Sequence, residues 1–240
     1  MTSGLAVASQ VASSTEDQAP SPMMSAAANP LKFEILGAEP VADAAVPLLA
    51  FSLRVTNARP EQPIHSVMLQ SQIQIEVVRR RYGPAEQARL VELFGEPSRW
   101  GETLRTMLWT HAHVTVPALE ESVTVALHVP CSFDFNVAAT KYFYGLAEGE
   151  APLAFLFSGT VFYAGDAGLQ VGRVSWESEA RFRLPVATWR ALVDRYYPNT
   201  AWLCLRRDEF ELLAEFKRRR GLATWEQVVE RLLAPGEAGR

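Results

Sequence analysis

The sequence predicts an α+β fold, mainly an antiparallel β-sandwich or open barrel with a C-terminal helical subregion. Three observations carry this reading. Apolar residues recur at every second position in several runs of the first two thirds of the chain, as strands with one wet and one dry face require. Two such runs, Met107–Pro117 and Ser122–Pro130, follow each other across only Ala118–Glu121. After Pro185 the period lengthens to that of amphipathic helices opened by capping residues.

Residues 1–30 contain no Lys or Arg and are rich in Ala, Ser, Pro and Met. Such a stretch cannot offset a backbone entropy of about 1–2 kcal/mol per residue, so a disordered tail is expected. It also lacks the basic start of a secretory signal. One β-rich domain is expected from 31 to 233, with a second disordered tail over 234–240.

Within the domain, Leu31, Phe33 and Ile35 alternate with Lys32 and Glu34, predicting a first strand that ends at Gly37. Leu49, Phe51, Leu53 and Val55 predict a second strand before Asn57. The clearest alternation runs from Ile64 to Arg80, with Ile73, Ile75 and Val77 against Gln72, Gln74 and Glu76. Pro84 and the spacing of Leu90, Val91, Leu93 and Phe94 predict a helix ending at Gly95, inside an insertion near 84–104.

The runs Met107–Pro117 and Ser122–Pro130 are expected to form a hairpin. Putting Ala112, Val114 and Val116 on the same side as Val123, Val125, Leu127 and Val129 pairs Val116 with Val123 and Ala112 with Leu127. Residues 133–145 fit either a strand or an aromatic-rich helical turn. Leu153–Tyr163, apolar on both faces, predicts a central strand, joined by a turn at Gly165–Gly168 to a strand over Leu169–Leu184.

Pro185 opens a helix reaching Tyr196, with Val186, Trp189, Leu192 and Val193 on one face. Ala201–Leu205 predicts a short strand. Asp208 with Glu211, and Thr224 with Gln227, form capping-box patterns ahead of two helices, the first stopping at Gly221.

The 240 residues carry 23 Lys+Arg against 27 Asp+Glu, a net charge of −4. Phosphate neutralisation needs a concentrated basic surface, so a nucleic-acid partner is not expected. Two cysteines are too few for a disulfide framework or a four-cysteine zinc site. No apolar run reaches the roughly 18–20 residues of a membrane span. A cytoplasmic protein is expected.

The most specific constellation is histidine. His111 and His113 share the polar side of their strand, and the expected hairpin sets His128 opposite His111. Three clustered imidazoles suit a divalent transition metal such as zinc, nickel or copper. The same residues also fit a plain solvated sheet face. No other cofactor is expected.

Cys131 lies near His128 and Asp134 in sequence, but adjacent strand residues face opposite ways and no helix N-terminus or Gly-rich oxyanion loop accompanies it, so a buried or edge thiol is expected over a nucleophile. Cys204 is expected in the core. Arg79–Arg81 and Lys217–Arg220 fit solvated element ends or an acidic partner surface. Phe133, Phe135, Tyr142, Phe143, Tyr144, Phe155, Phe157, Phe162 and Tyr163 fit either core or a binding groove. No catalytic residue is assigned, since phosphate loops, serine elbows and paired-carboxylate signatures are absent from the sequence.

Four strings of sequence bear on kinship: Leu108-Trp109-Thr110-His111, Val129-Pro130-Cys131-Ser132-Phe133-Asp134, the run Phe155–Tyr163, and Trp202–Arg207. Through them the chain resembles, over roughly 30–233, an uncharacterised bacterial protein family associated with gene clusters of uptake nickel-iron hydrogenases. The strings are structural in character, and no activity or catalytic residue follows from them. The resemblance implies an accessory or assembly factor whose partner is a hydrogenase subunit or maturation factor.

Overall fold

The computed structural model describes residues 31–165 and 168–234. The two expected tails therefore lie outside the described residues, apart from Ala234. The strands are β1 (Leu31–Pro40), β2 (Leu48–Asn57), β3 (Ile64–Ile75), β4 (Met107–Val116), β5 (Ser122–Pro130), β6 (Glu150–Gly165), β7 (Gly168–Arg173) and β8 (Glu179–Pro185). The helices are α1 (Pro84–Phe94), α2 (Trp100–Thr103), α3 (Val137–Gly145), α4 (Val186–Tyr196), α5 (Arg207–Arg219) and α6 (Trp225–Leu233).

Two antiparallel sheets pack face to face. One has the order β1-β2-β5. The other has the order β4-β3-β6, with β7 and β8 sharing the far edge of β6. The alternation read in the sequence now has its cause. Leu49, Phe51, Leu53, Val55, Leu127 and Val129 turn inward from the first sheet, and Val67, Ile73, Ile75, Leu153 and Phe155 turn inward from the second. Aromatic rings bridge the layers: Phe33 stacks on Phe157 at 4.4 Å, and Phe51 meets Phe155 edge-on at 5.1 Å. Each such buried side chain contributes about 1.5–3 kcal/mol relative to exposure. The fold is α+β with sandwich-like packing, and the edges β4/β5 and β1/β8 run close together without closing a barrel.

The expected hairpin does not form. β4 pairs with β3 and β5 pairs with β2, so residues 117–121 carry the chain from one sheet to the other. Leu119, buried beside Ile64, anchors that crossing by exchanging both backbone hydrogen bonds with it, at 2.9 and 3.0 Å. A strand's period of two decides which side is apolar but not which strand lies beside it. Two inward faces meeting from opposite sheets satisfy the pattern as well as a hairpin does.

Several boundaries also differ from expectation. β1 continues through Gly37 to Pro40, with Leu36 bulging out of register. β3 ends at Ile75, and Val77 reaches the core from a 3₁₀ turn. The stretch 169–184 is two strands separated by residues 174–178. Trp109 occupies a bulge in β4, which turns it inward against Phe51 and Phe143. Residues 137–145, open between two readings, are helical: the Asn136 side chain accepts from Ala139 N–H and donates to Trp109 O, capping α3 and tying it to β4.

The C-terminal third departs further. Residues 201–206 form no strand, and Cys204 is exposed instead of buried. α5 starts at Arg207, two residues too early for Asp208 to cap it, so Arg206 holds the cap position, whereas Thr224 and Gln227 do form the reciprocal cap of α6. Val186, Trp189, Leu192 and Val193 of α4 are all buried, as their spacing predicts.

Candidate functional site

Beyond the end of the sandwich, α1 and α3 lie side by side. Gly145 permits this approach, since a Cβ there would stand 2.5 Å from the Leu90 side chain. The link that follows, residues 145–150, presents a row of carbonyl oxygens to three guanidinium groups. Arg89 donates to Gly145 O, Arg190 to Leu146 O, and Arg80 to Glu148 O and Glu150 O.

Arg80 also meets Glu86 at 2.7 Å, and Glu86 accepts from the N–H groups of Ala147 and Gly83. Burial pushes the Glu86 carboxyl up, but those N–H groups and the guanidinium outweigh it and hold the carboxyl below its ordinary range. Beside this pair, the Tyr82 hydroxyl donates to Val77 O and lies 3.1 Å from that of Tyr142; burial raises both phenols. Arg80 thus departs from the solvated role that fits its neighbours Arg79 and Arg81. The whole arrangement clamps α1, α3 and the start of β6 into one rigid wall.

That wall forms one side of a groove of about 350 Å³, lined by Arg89, Glu92 and Leu93 of α1, Tyr144 of α3, and Phe133 and Trp202. Phe133 and Trp202 stack at 5.4 Å, and Tyr197 backs Trp202 edge-on at 5.3 Å. Lys141 pairs with Glu92 at the rim. The site therefore joins an aromatic floor to a rim of both charge signs, the composition of a surface that receives an apolar segment with polar groups beside it. Trp202 remains 47% exposed and Leu203 77% exposed, so the floor continues into an open apolar edge.

The aromatic residues singled out in the sequence divide between core, groove and neither: Phe135 is exposed away from the groove, and Phe162 and Tyr163 are half-buried on β6. Tyr142, Phe143, Phe155 and Phe157 are core, with Phe143 stacked on Trp189 at 5.1 Å. Only Phe133 and Tyr144 face the groove. Trp202, Arg89, Glu92 and Lys141 complete it from segments far apart in sequence, and no local pattern announced them.

The three histidines are not brought together. His111 stands opposite Gln72 and His113 opposite Gln70 on the second sheet, while His128 stands opposite Ala50 on the first. All three are exposed on the outward faces. Among the described residues no group of three or more His, Cys, Asp or Glu side chains is arranged to hold a metal ion.

Cys131 is buried, and its thiol donates to Val129 O at 3.5 Å. Burial pushes that thiol up to about 12, well away from the thiolate a nucleophile needs.

No helix among the described residues is long and apolar enough to cross a membrane. No curated protein matches the chain. A family model does match, and it spans residues 28–240, nearly the whole chain and every element described above. By that match the chain belongs to the family of unknown function DUF6084.

Proposed function

We propose that this protein is a non-catalytic interaction protein that holds an apolar segment of another polypeptide in the Phe133–Trp202 groove. The observation that carries the reading is the groove itself: stacked, half-exposed aromatic rings set against a wall that Arg80 and Glu86 make rigid. Large rigid rings with a charged rim give contact area at low entropic cost, the usual make-up of binding hot spots. The buried, protonated Cys131 thiol supports a holding role over nucleophilic chemistry at that residue.

The sequence resemblance extends the reading to a bacterial setting and to a partner within a nickel-iron hydrogenase system, either a subunit or a maturation factor, and the composition adds a cytoplasmic location. The test is affinity purification of the tagged full chain from its native host, alongside a Trp202→Glu variant. Hydrogenase or maturation proteins retained by the unmodified chain and lost from the variant are expected. Equal recovery by both overturns the groove. Recovery of no such protein at any growth stage overturns the hydrogenase setting.

A further inference from the structure

The rim of the Phe133–Trp202 groove is uneven in charge. α1 and α3 run antiparallel there: Arg89 meets Gly145, while Glu92, one turn further along α1, meets Lys141, one turn back along α3. Arg89, Glu92 and Leu93 share one face of α1 at i, i+3 and i+4, and Lys141, Tyr144 and Gly145 share one face of α3 in the same way. The Glu92–Lys141 pair cancels its own charge. Among the described residues, Arg89 is the one cation lining the groove that has no ion pair.

Its guanidinium is held in place all the same. Nε donates to Gly145 O at 2.9 Å, at the end of α3, and neither terminal nitrogen has a hydrogen bond among the described residues. A fork anchored through Nε with both terminal nitrogens open takes a carboxylate without first losing much side-chain freedom. Donors outnumber acceptors around it. The Trp202 indole N–H and the Tyr144 hydroxyl are also without a hydrogen bond among the described residues. Burial raises the Tyr144 phenol, with Asp194 of α4 and Tyr197 adding to it, so the hydroxyl keeps its proton and is free to donate. Glu92 is the only carboxylate among the described lining residues, and it is taken by Lys141.

We infer that the segment held in this groove carries an Asp or Glu side chain, whose carboxylate Arg89 receives while an apolar neighbour lies on the Phe133–Trp202 stack. This rests on the groove being a polypeptide-binding site and adds the chemistry of what it holds. One open guanidinium matches one negative charge. A phosphorylated side chain brings nearly two, beside the carboxylate of Glu92, and is the poorer match. A basic or wholly apolar segment leaves the Arg89 fork, the Trp202 N–H and the Tyr144 hydroxyl without an acceptor.

Random 12-residue peptides displayed on phage, selected on the full chain and counter-selected on Trp202→Glu, test this. Peptides that depend on Trp202 are expected to place Asp or Glu within four positions of an apolar or aromatic residue. One such peptide is then made both with its acid and with the matching amide, and each form is titrated against the unmodified chain and against Arg89→Gln. The amide is expected to bind the unmodified chain about tenfold more weakly than the acid, and Arg89→Gln less than about twofold more weakly. Salt gives a second reading that needs no variant: the acid–amide difference is expected to shrink as sodium chloride rises from about 50 to about 500 mM. Trp202-dependent peptides without acidic residues overturn the inference and leave the groove standing. So does an amide that binds the unmodified chain as well as the acid does, or a penalty that neither salt nor Arg89→Gln diminishes. Recovery of no Trp202-dependent peptide overturns the groove and this inference together. Displacement of the peptide by 3-phenylpropanoate at equal affinity overturns the polypeptide occupant in favour of a small aromatic acid.

Discussion

The guanidinium of Arg80 meets the carboxylate of Glu86 at 2.7 Å, with side chains only 10% and 8% exposed. The same guanidinium reaches Glu148 O and Glu150 O, and the same carboxylate takes the Ala147 N–H. One ion pair therefore fixes where α1 begins and where β6 begins. Removing one partner leaves the other charge buried and uncompensated. Arg80→Met is expected to destabilise the protein by about 3–5 kcal/mol in urea denaturation at pH 7.

The acid limb of stability follows from the same pair. The Glu86 carboxyl is held below its ordinary 4.5 in the folded protein, so the unfolded chain binds the proton first. Its contribution is whole above pH 4.5 and disappears as pH falls through the lower, folded value. Glu86→Gln is expected to flatten this part of the profile. Arg80→Met removes a group that lowers the carboxyl, so the folded value moves up toward the unfolded one and this limb is expected to flatten as well. Urea midpoints measured from pH 7 down to pH 3 check both slopes.

Gly159 lies where β6 exchanges β8 for β7 as its neighbour. A Cβ there would stand 2.1 Å from Met68 O, a backbone atom that cannot move aside alone. Gly159→Ala is expected to cost at least about 1–3 kcal/mol through forced backbone shifts. Gly37→Ala is the control, since nothing lies within 4 Å of its Cβ. Thermal melts of the two variants are expected to separate clearly.

The two thiols are expected to behave oppositely. Cys204 is exposed, whereas Cys131 is buried and pushed up to about 12. A raised value keeps the proton on sulfur throughout pH 6–9, so native protein is expected to yield one reactive thiol and denatured protein two. Labelling with a chromogenic disulfide reagent, with and without guanidinium, measures this directly.

Metal uptake separates the histidines. His128 belongs to a different sheet from His111 and His113. His128→Ala is expected to leave any nickel, zinc or copper binding within twofold, as judged by equilibrium dialysis. Abolition of binding by that substitution would place His128 in one binding group with His111 and His113.

What the residues announced and what they concealed differ in kind. Alternation in Ile64–Ile75 and Ser122–Pro130 marked the apolar side of each strand correctly, because that depends only on local geometry. It could not reveal that Val123 faces Val55 and not Val116, because partner choice is decided by the packing of the whole chain. The Thr224–Gln227 cap was legible for the same local reason. Cys204 misled: Trp202, Leu203 and Leu205 around it have core composition, yet no strand ladder takes up the segment. Arg80 was hidden among three consecutive arginines, since only the folded link 145–150 distinguishes it from Arg79 and Arg81. The groove was half visible, through Phe133 and Tyr144, because its remaining walls come from remote segments.

The passage of residues 117–121 from one sheet to the other bears on how the chain is made. Leu49 must wait for Val129, and Ile73 for Phe155, before either sheet acquires its central pairing. On a ribosome, β2 emerges with one edge covered by β1 and the other bare, β3 emerges with both bare, and they stay so until dozens more residues have been added. Such long-range pairing slows folding and prolongs exposure to intermolecular strand exchange. The nascent chain is thus expected to be more sensitive to the pace of synthesis than a protein of this size built wholly from adjacent hairpins.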